Sequence, residues 1–358
     1  MRLILFASHL LQWRPLLPAI IELMHRCHGV SIKTTRPNWL GLPRFQMAFR
    51  PQYMTGFNKA SLAWLAEKIG YGQEWGAVED HVDYKSHFIP EEYDVAVSTT
   101  KDMAWLRDQW SSGIQRAIAV GYQHLPIVMR LNEGPHTYFD IPKSFWGHHA
   151  FADFHKFEDI YRWGTGRSCG FPHLDKVQIP ASRKERKVLI QHPGGYRGIK
   201  GHAWLVGLVR TINDAGYKAW ICPHFIPGWG YGGHDTNYAY TLMRSLPNNN
   251  WCTVDSWWDA AEYCDLILTT GSSAAYEMWA VGLTNVFILG YVGGKRHEKF
   301  QMFQDLLVES PEALGKLLRG LPGSAQATEP LTREVMAAYR TVHTGQGAKT
   351  AADIIEGA

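Results

Sequence analysis

The chain has 358 residues, 46% hydrophobic and 19% charged, with a formal net charge of +3. This length predicts two domains, and no apolar run reaches the roughly 18 residues that a spanning helix needs. So small a net charge does not by itself imply nucleic-acid binding. Five cysteines without a Cys-x-x-Cys pair argue for a reducing, cytoplasmic setting and against a disulfide framework or a structural zinc.

The start of the chain, MRLILFASHLLQWRPLLPAIIELMHRCHG, has the apolar look of a signal peptide. Gln12, Arg14 and Pro15 interrupt the run, and no small-residue cleavage site follows. It reads instead as a strand over residues 3–7, a loop, and an amphipathic helix to about Cys27. The stripe of Leu10, Leu11, Trp13, Leu16 and Leu17 suits a helix packed on a sheet. Peripheral membrane contact is its second reading. Strands are expected at 30–34, 93–98 and 116–122, with helices at 58–68 and 102–112. This alternation is that of a parallel sheet with helices on its faces. Residues 132–175 are aromatic and loop-rich, with no clean period. The polar run PASRKERK, 180–187, reads as a linker.

A second strand–helix series follows. Strands are expected at 188–191, 219–222 and 251–254, and helices at 202–215, 237–245 and 257–263. The tail from 329 to 358 reads as helical, and in such folds it crosses back onto the first domain. The expected fold is therefore α/β, of the GT-B architecture: two Rossmann-like domains facing a cleft. The boundaries are 1–180 for an acceptor-side domain, 188–328 for a nucleotide-donor domain, and 329–358 for the returning helix. Ligands in parallel sheets bind beyond the carboxyl ends of the strands. Many of the 15 Trp and 17 His fall in loop-like stretches such as PHFIPGWGYGGH, where they could line such a site.

The most informative stretch is DLILTTGSSAAYEMWAVGLTNVFIL, residues 265–289. An apolar strand runs into Gly271, Ser272 and Ser273, and a helix starts there. Small residues at a helix start offer hydroxyls and unpaired N–H groups to an anion. Glu277, six positions after Gly271, is placed to reach ribose hydroxyls when phosphates occupy the turn. Strand, phosphate turn and ribose carboxylate make half of a nucleotide site. Ser272 acting merely as an N-cap is the plainer reading of the same turn.

Four post-strand positions complete the pattern. His124 stands in AVGYQHLP, Arg197 in VLIQHPGGYRG, and His224 in AWICPHF; Ser272, Ser273 and Glu277 form the fourth. This order resembles the CDP-glycerol glycerophosphotransferase family, the teichoic-acid polymerases and primases. Those proteins carry a Trp-His-Gly-Thr turn, a Pro-Thr-Tyr/Phe-Arg turn, a Lys-x-His-Pro turn and an Asp-Tyr-Ser-Ser turn in the same sequence. The resemblance covers about residues 90–290. It implies His124 as the acceptor-activating base, and Arg197, His224, Gly271, Ser272 and Ser273 as donor phosphate ligands. The Gly271-to-Glu277 spacing is also similar to the GlcNAc transferase of peptidoglycan synthesis, where a Glu holds the ribose. His192-Pro193 is similar to the His-Pro motif of bacterial sialyl- and Kdo-transferases, which holds a CMP phosphate. The chain departs from the glycerophosphotransferase pattern at Leu125, Phe225 and Thr270-Gly271.

The resemblance implies a transferase that moves a glycosyl or polyol-phosphate group from a nucleotide-activated donor to a hydroxyl, in surface-polymer synthesis. The acceptor would be a glycan, a polyol chain or a lipid-linked species. His192, Lys200, Glu133 and Asp140 are further candidates. No cofactor is required if the cationic side chains neutralise the leaving phosphate, although Glu133, Asp140, Asp153 and Asp235 leave a divalent metal open. Two competing readings are a UDP-GlcNAc 2-epimerase-like isomerase and a glycosyltransferase acting on hydroxymethylated DNA. The first would show a Gly-Gly-x-x-Glu-Glu pattern, of which Glu277 alone is present. The second would need a local basic groove hidden in the average charge.

Overall fold

The computed structural model describes residues 1–7, 13–33, 59–85, 87–99, 117–122, 149–154, 167–177, 185–191, 199–222, 251–253, 257–269, 274–292, 295–296, 306–320 and 344–357. The chain divides into two compact units. One is Met1–Val177 with Val342–Ala358, and the other is Gln178–Thr341.

The first unit opens with β1 (Arg2–Phe6), α1 (Trp13–His25) and β2 (Gly29–Lys33). Helices α2 (Lys59–Lys68) and α3 (Gly72–Val78) follow, then β3 (Asp83–Lys85), β4 (Val95–Thr99) and β5 (Ala117–Tyr122). Two further strands, β6 (His149–Phe154) and β7 (Arg167–Gly170), close the sheet. The order is β3-β2-β1-β4-β5-β6-β7. Strands β1 to β5 pair in parallel, whereas β6 and β7 pair antiparallel.

Those two strands lie within 132–175, a stretch whose sequence shows no clean period. HAFADF mixes His and Asp among its aromatics, so it lacks the unbroken apolar run that marks a central parallel strand. The stripe on α1 goes to the core: Trp13, Leu16, Leu17, Ile20, Ile21 and Leu23 are all buried. Trp13, Leu16 and Leu17 are thus not available for membrane contact. Leu10 and Leu11 lie outside the described residues. No helix among the described residues is long and apolar enough to cross a membrane.

The second unit holds β8 (Lys187–Gln191), α4 (Ile199–Asp214), β9 (Lys218–Cys222) and β10 (Trp251–Thr253). Then come α5 (Trp257–Ala261), β11 (Cys264–Thr269), α6 (Ala274–Ala280) and β12 (Val286–Leu289). A hairpin of β13 (Tyr291–Val292) and β14 (Lys295–Arg296) precedes β15 (Leu307–Val308) and α7 (Pro311–Gly320). The sheet runs β10-β9-β8-β11-β12-β15, and all its pairings are parallel. Counted along the chain within this sheet, the order is 3-2-1-4-5-6, the doubly wound Rossmann arrangement. Its main core joins Val188, Ile190, Leu266 and Leu268 to Leu205, Leu208, Val209 and Ile212 of α4 and Leu314 and Leu318 of α7. The α/β class and the pair of Rossmann-like units expected from the sequence are both present. The helix expected at 102–112 and the one at 237–245 lie outside the described residues.

The chain's last element, α8 (Gly347–Glu356), belongs to the first unit. Ala351, Ala352, Ile354 and Ile355 are buried. Its C-terminal end is tied to the end of α1 by charge. Arg26 meets Glu22 at 2.9 Å, Asp353 at 2.7 Å and Glu356 at 2.5 Å. His28 Nε2 lies 2.6 Å from Glu356 Oε1. The hydrogen bond from His28, with the help of Arg26, holds the Glu356 carboxyl below its ordinary range. At the other end of α8, the Ala348 N–H donates to Asp175 Oδ2 at 2.7 Å.

Candidate functional site

In a 3-2-1-4-5-6 sheet the order reverses between the first and fourth strands, and the crevice outside their carboxyl ends takes ligands. Here those strands are β8 and β11. They end on Gln191 and Thr269, which are register partners and so point to the same face. A parallel strand buried on both faces is expected to be apolar, as VLI and LIL are in the rest of β8 and β11. Gln191 and Thr269 break that rule at the last position of each strand, and both are buried. The Thr269 hydroxyl donates to Gln191 Oε1 at 2.9 Å.

Alternation along β8 places Val188 and Ile190 against α4, so Gln191 lies on the opposite face. Helices α5 and α6 belong to this second face. Both serve right-handed crossovers running the other way along the sheet from the one that α4 serves. A second polar pair sits on these two helices. Glu277, in the first turn of α6, is 2% exposed, and the Trp257 indole N–H at the start of α5 donates to its Oε2 at 3.3 Å. Trp257 is itself buried, and its ring stands edge-on to Trp258 at 5.5 Å. A buried carboxylate is costly unless hydrogen-bonded, and the indole supplies such a bond.

The local sequence explains how α6 is held. The helix ends in a Schellman turn, with Gly282 N–H donating to Trp279 O and Leu283 N–H to Met278 O. Gly282 adopts φ 92°, which a side chain would oppose. Asn285 Nδ2 then donates to Cys264 O at 2.9 Å, fastening the start of β12 to the base of β11. One expectation changes here. At seven residues α6 is under two turns long, so its dipole is a weak source of anion affinity. Side-chain donors near the strand ends become more important.

Of the residues singled out from the sequence, Glu277 lies in the first turn of α6. Lys200 falls in the first turn of α4. His124, Glu133, Asp140, His192, Arg197, His224, Gly271, Ser272 and Ser273 lie outside the described residues. Asp153 is in β6, opposite Ile118 of β5, and Asp235 is outside the described residues. Among the described residues, no group of three His, Cys, Asp or Glu is placed to hold a metal ion. Sequence reasoning missed Trp257, Gln191 and Thr269. The signal for the last two was a polar residue closing an otherwise apolar strand. Trp257 carried no local signal, because its partner is 20 residues away.

No family model and no curated protein matches the chain. Among solved structures it is similar to the UDP-GlcNAc 2-epimerase of Methanocaldococcus jannaschii in complex with UDP-GlcNAc and UDP. There the TM-score is 0.49 at 12% identity, covering 100% of both chains. It is also similar to CalG4, the calicheamicin glycosyltransferase, with TM-score 0.48 and 12% identity over 99% of this chain and 97% of that one. Similarity to the glycosyltransferase SnogD from Streptomyces nogalater has TM-score 0.43 and 13% identity over 99% of each chain. At such identities and scores these likenesses assign no activity to the chain.

Proposed function

We propose that the chain is a transferase that moves a glycosyl or polyol-phosphate group from a nucleotide-activated donor to an acceptor hydroxyl. The observation that carries this reading is the buried, indole-held carboxylate of Glu277 beside the switch point of a 3-2-1-4-5-6 sheet. A carboxylate accepts hydrogen bonds, and the paired hydroxyls of a ribose donate them. The sequence resemblance to CDP-glycerol glycerophosphotransferases supports the same assignment. In this proposal Glu277 binds the ribose. Arg197, His224, Gly271, Ser272 and Ser273 bind the donor phosphates, with His192 and Lys200 in support.

The chemistry needs few groups. His124 takes the proton of the acceptor hydroxyl, whose oxygen attacks the sugar's anomeric carbon or the donor's β-phosphorus. The new C–O or P–O bond forms as the bond to the nucleotide phosphate breaks. The electron pair leaves with the nucleotide, and cationic side chains stabilise the charge that develops there.

The test is a thermal-shift screen of the whole chain against CMP, CDP, UDP, GDP and ADP. A ligand at 100 times its dissociation constant adds about 2.7 kcal/mol of stability. Calorimetry on the best nucleotide should then show Glu277→Ala losing about 1–3 kcal/mol of binding energy. If no nucleotide shifts the wild-type protein, the proposal falls. If the folded variant binds as tightly as wild type, the ribose role of Glu277 falls.

A further inference from the structure

We propose that Gln191 is a diphosphate-binding residue: its carboxamide N–H groups, oriented by Thr269, donate to a phosphate oxygen of the bound nucleotide. This deepens the nucleotide-donor reading and rests on it.

The argument starts from what a carboxamide offers. Its oxygen accepts, and its nitrogen carries two N–H donors. The Thr269 hydroxyl occupies the oxygen at 2.9 Å, which leaves the NH2 group for another partner. Among the described residues, that bond is the sole hydrogen bond of the Gln191 side chain. The residue is 7% exposed. A carboxamide N–H group with no protein acceptor among the described residues is open to an acceptor on a ligand.

Two features identify the acceptor as phosphate. The first is place. Gln191 closes the first strand of a doubly wound sheet, beside the switch point, where the pyrophosphate of a bound nucleotide lies. The second is complementarity with the other polar pair on the same face. The Glu277 carboxylate accepts, so it suits ribose hydroxyls. The Gln191 NH2 group only donates, so it suits oxygens that only accept. Gln191 is also neutral, so it binds a phosphate without forming an ion pair with a carboxylate. That property favours a product that must leave after each turnover.

The experiment uses the whole chain, with calorimetry of the nucleoside, its monophosphate and its diphosphate for whichever base binds. Gln191→Met keeps the shape and removes the donors. It should leave nucleoside affinity unchanged and lose roughly 10- to 100-fold for the diphosphate. Gln191→Glu keeps the shape and adds a charge, and it should lose more for the diphosphate and again nothing for the nucleoside. Thr269→Val leaves Gln191 in place but frees the amide to turn. Its loss should be smaller and confined to the phosphorylated ligands. Folding of each variant is checked by near-UV circular dichroism, and Thr269→Val carries the test if neither Gln191 variant folds. Equal losses for nucleoside and diphosphate would overturn the phosphate role, and so would unchanged diphosphate affinity; in both cases the donor reading stands. A wild-type protein that binds none of the ligands overturns both proposals.

Discussion

At the scale of single residues, Asp175 is a carboxyl whose ionisation the fold resists. Burial raises its carboxyl from the ordinary 3.8 to about 6, although N–H groups of Ala348 and Gly347 at the start of α8 favour the charged form. An acid with a raised folded-state pKa binds its proton more tightly in the folded protein than in the unfolded chain. Its contribution is therefore complete below about pH 4 and is lost as pH rises through about 6. Two units correspond to at most about 3 kcal/mol, and partial solvent exposure reduces this to about 1–3 kcal/mol. Urea denaturation of wild type and Asp175→Asn between pH 4 and 7 should show the difference, wild type minus variant, falling by that amount as pH rises. A difference independent of pH would contradict the assignment. Residue-level features were unevenly legible in the sequence. The sequence pattern put Glu277 on the first or second turn of a helix after a strand, and it lies in the first. Its burial against Trp257 did not follow from the pattern, because that contact depends on two helices sharing a face. Nor did the Gln191–Thr269 bond, which joins residues 78 apart and exists through strand register alone.

At the scale of elements, the fit of α8 on the first unit depends on a missing side chain. A Cβ added at Gly347 would lie 2.7 Å from the carbonyl oxygen of Cys169 and 2.9 Å from Pro172 Cα. Both are backbone atoms and cannot rotate aside. Gly347→Ala should therefore destabilise the protein by about 1–3 kcal/mol, the cost of overpacking. The same substitution at Gly76, inside α3, meets nothing within 4 Å. There, replacing glycine in a helix should stabilise by about 0.5–1 kcal/mol. Thermal unfolding of the two variants checks the opposite signs, and a neutral Gly347→Ala would refute the packing argument. Element types were read well where burial on both faces forces an unbroken apolar run, as in LILF of β1, VLI of β8 and VFIL of β12. They were missed where it does not. Strand β15 and the β13–β14 hairpin have two residues per strand, too few to show any period. Strands β6 and β7 lie at the end of their sheet, where antiparallel pairing tolerates polar residues.

At the scale of the molecule, both sheets reverse their order between the first and fourth strands of the unit, at β1/β4 and at β8/β11. The alternation of apolar strands with helices made this pair of α/β units legible, since a parallel sheet demands a crossover between strands. A division of labour between the units is implied by the resemblance alone. In the proposed function the second unit holds the nucleotide and the first supplies the base. His124 is two residues beyond Tyr122, the last residue of β5, and so follows the carboxyl end of a parallel strand. A base acts on the acceptor proton and not on the donor. His124→Ala should thus leave nucleotide affinity nearly unchanged by calorimetry while turnover of the matching donor falls roughly 10²–10⁴-fold. A phosphate ligand such as His224 should change both quantities when replaced. Near-normal turnover in His124→Ala would move the base to a carboxylate such as Glu133 or Asp140.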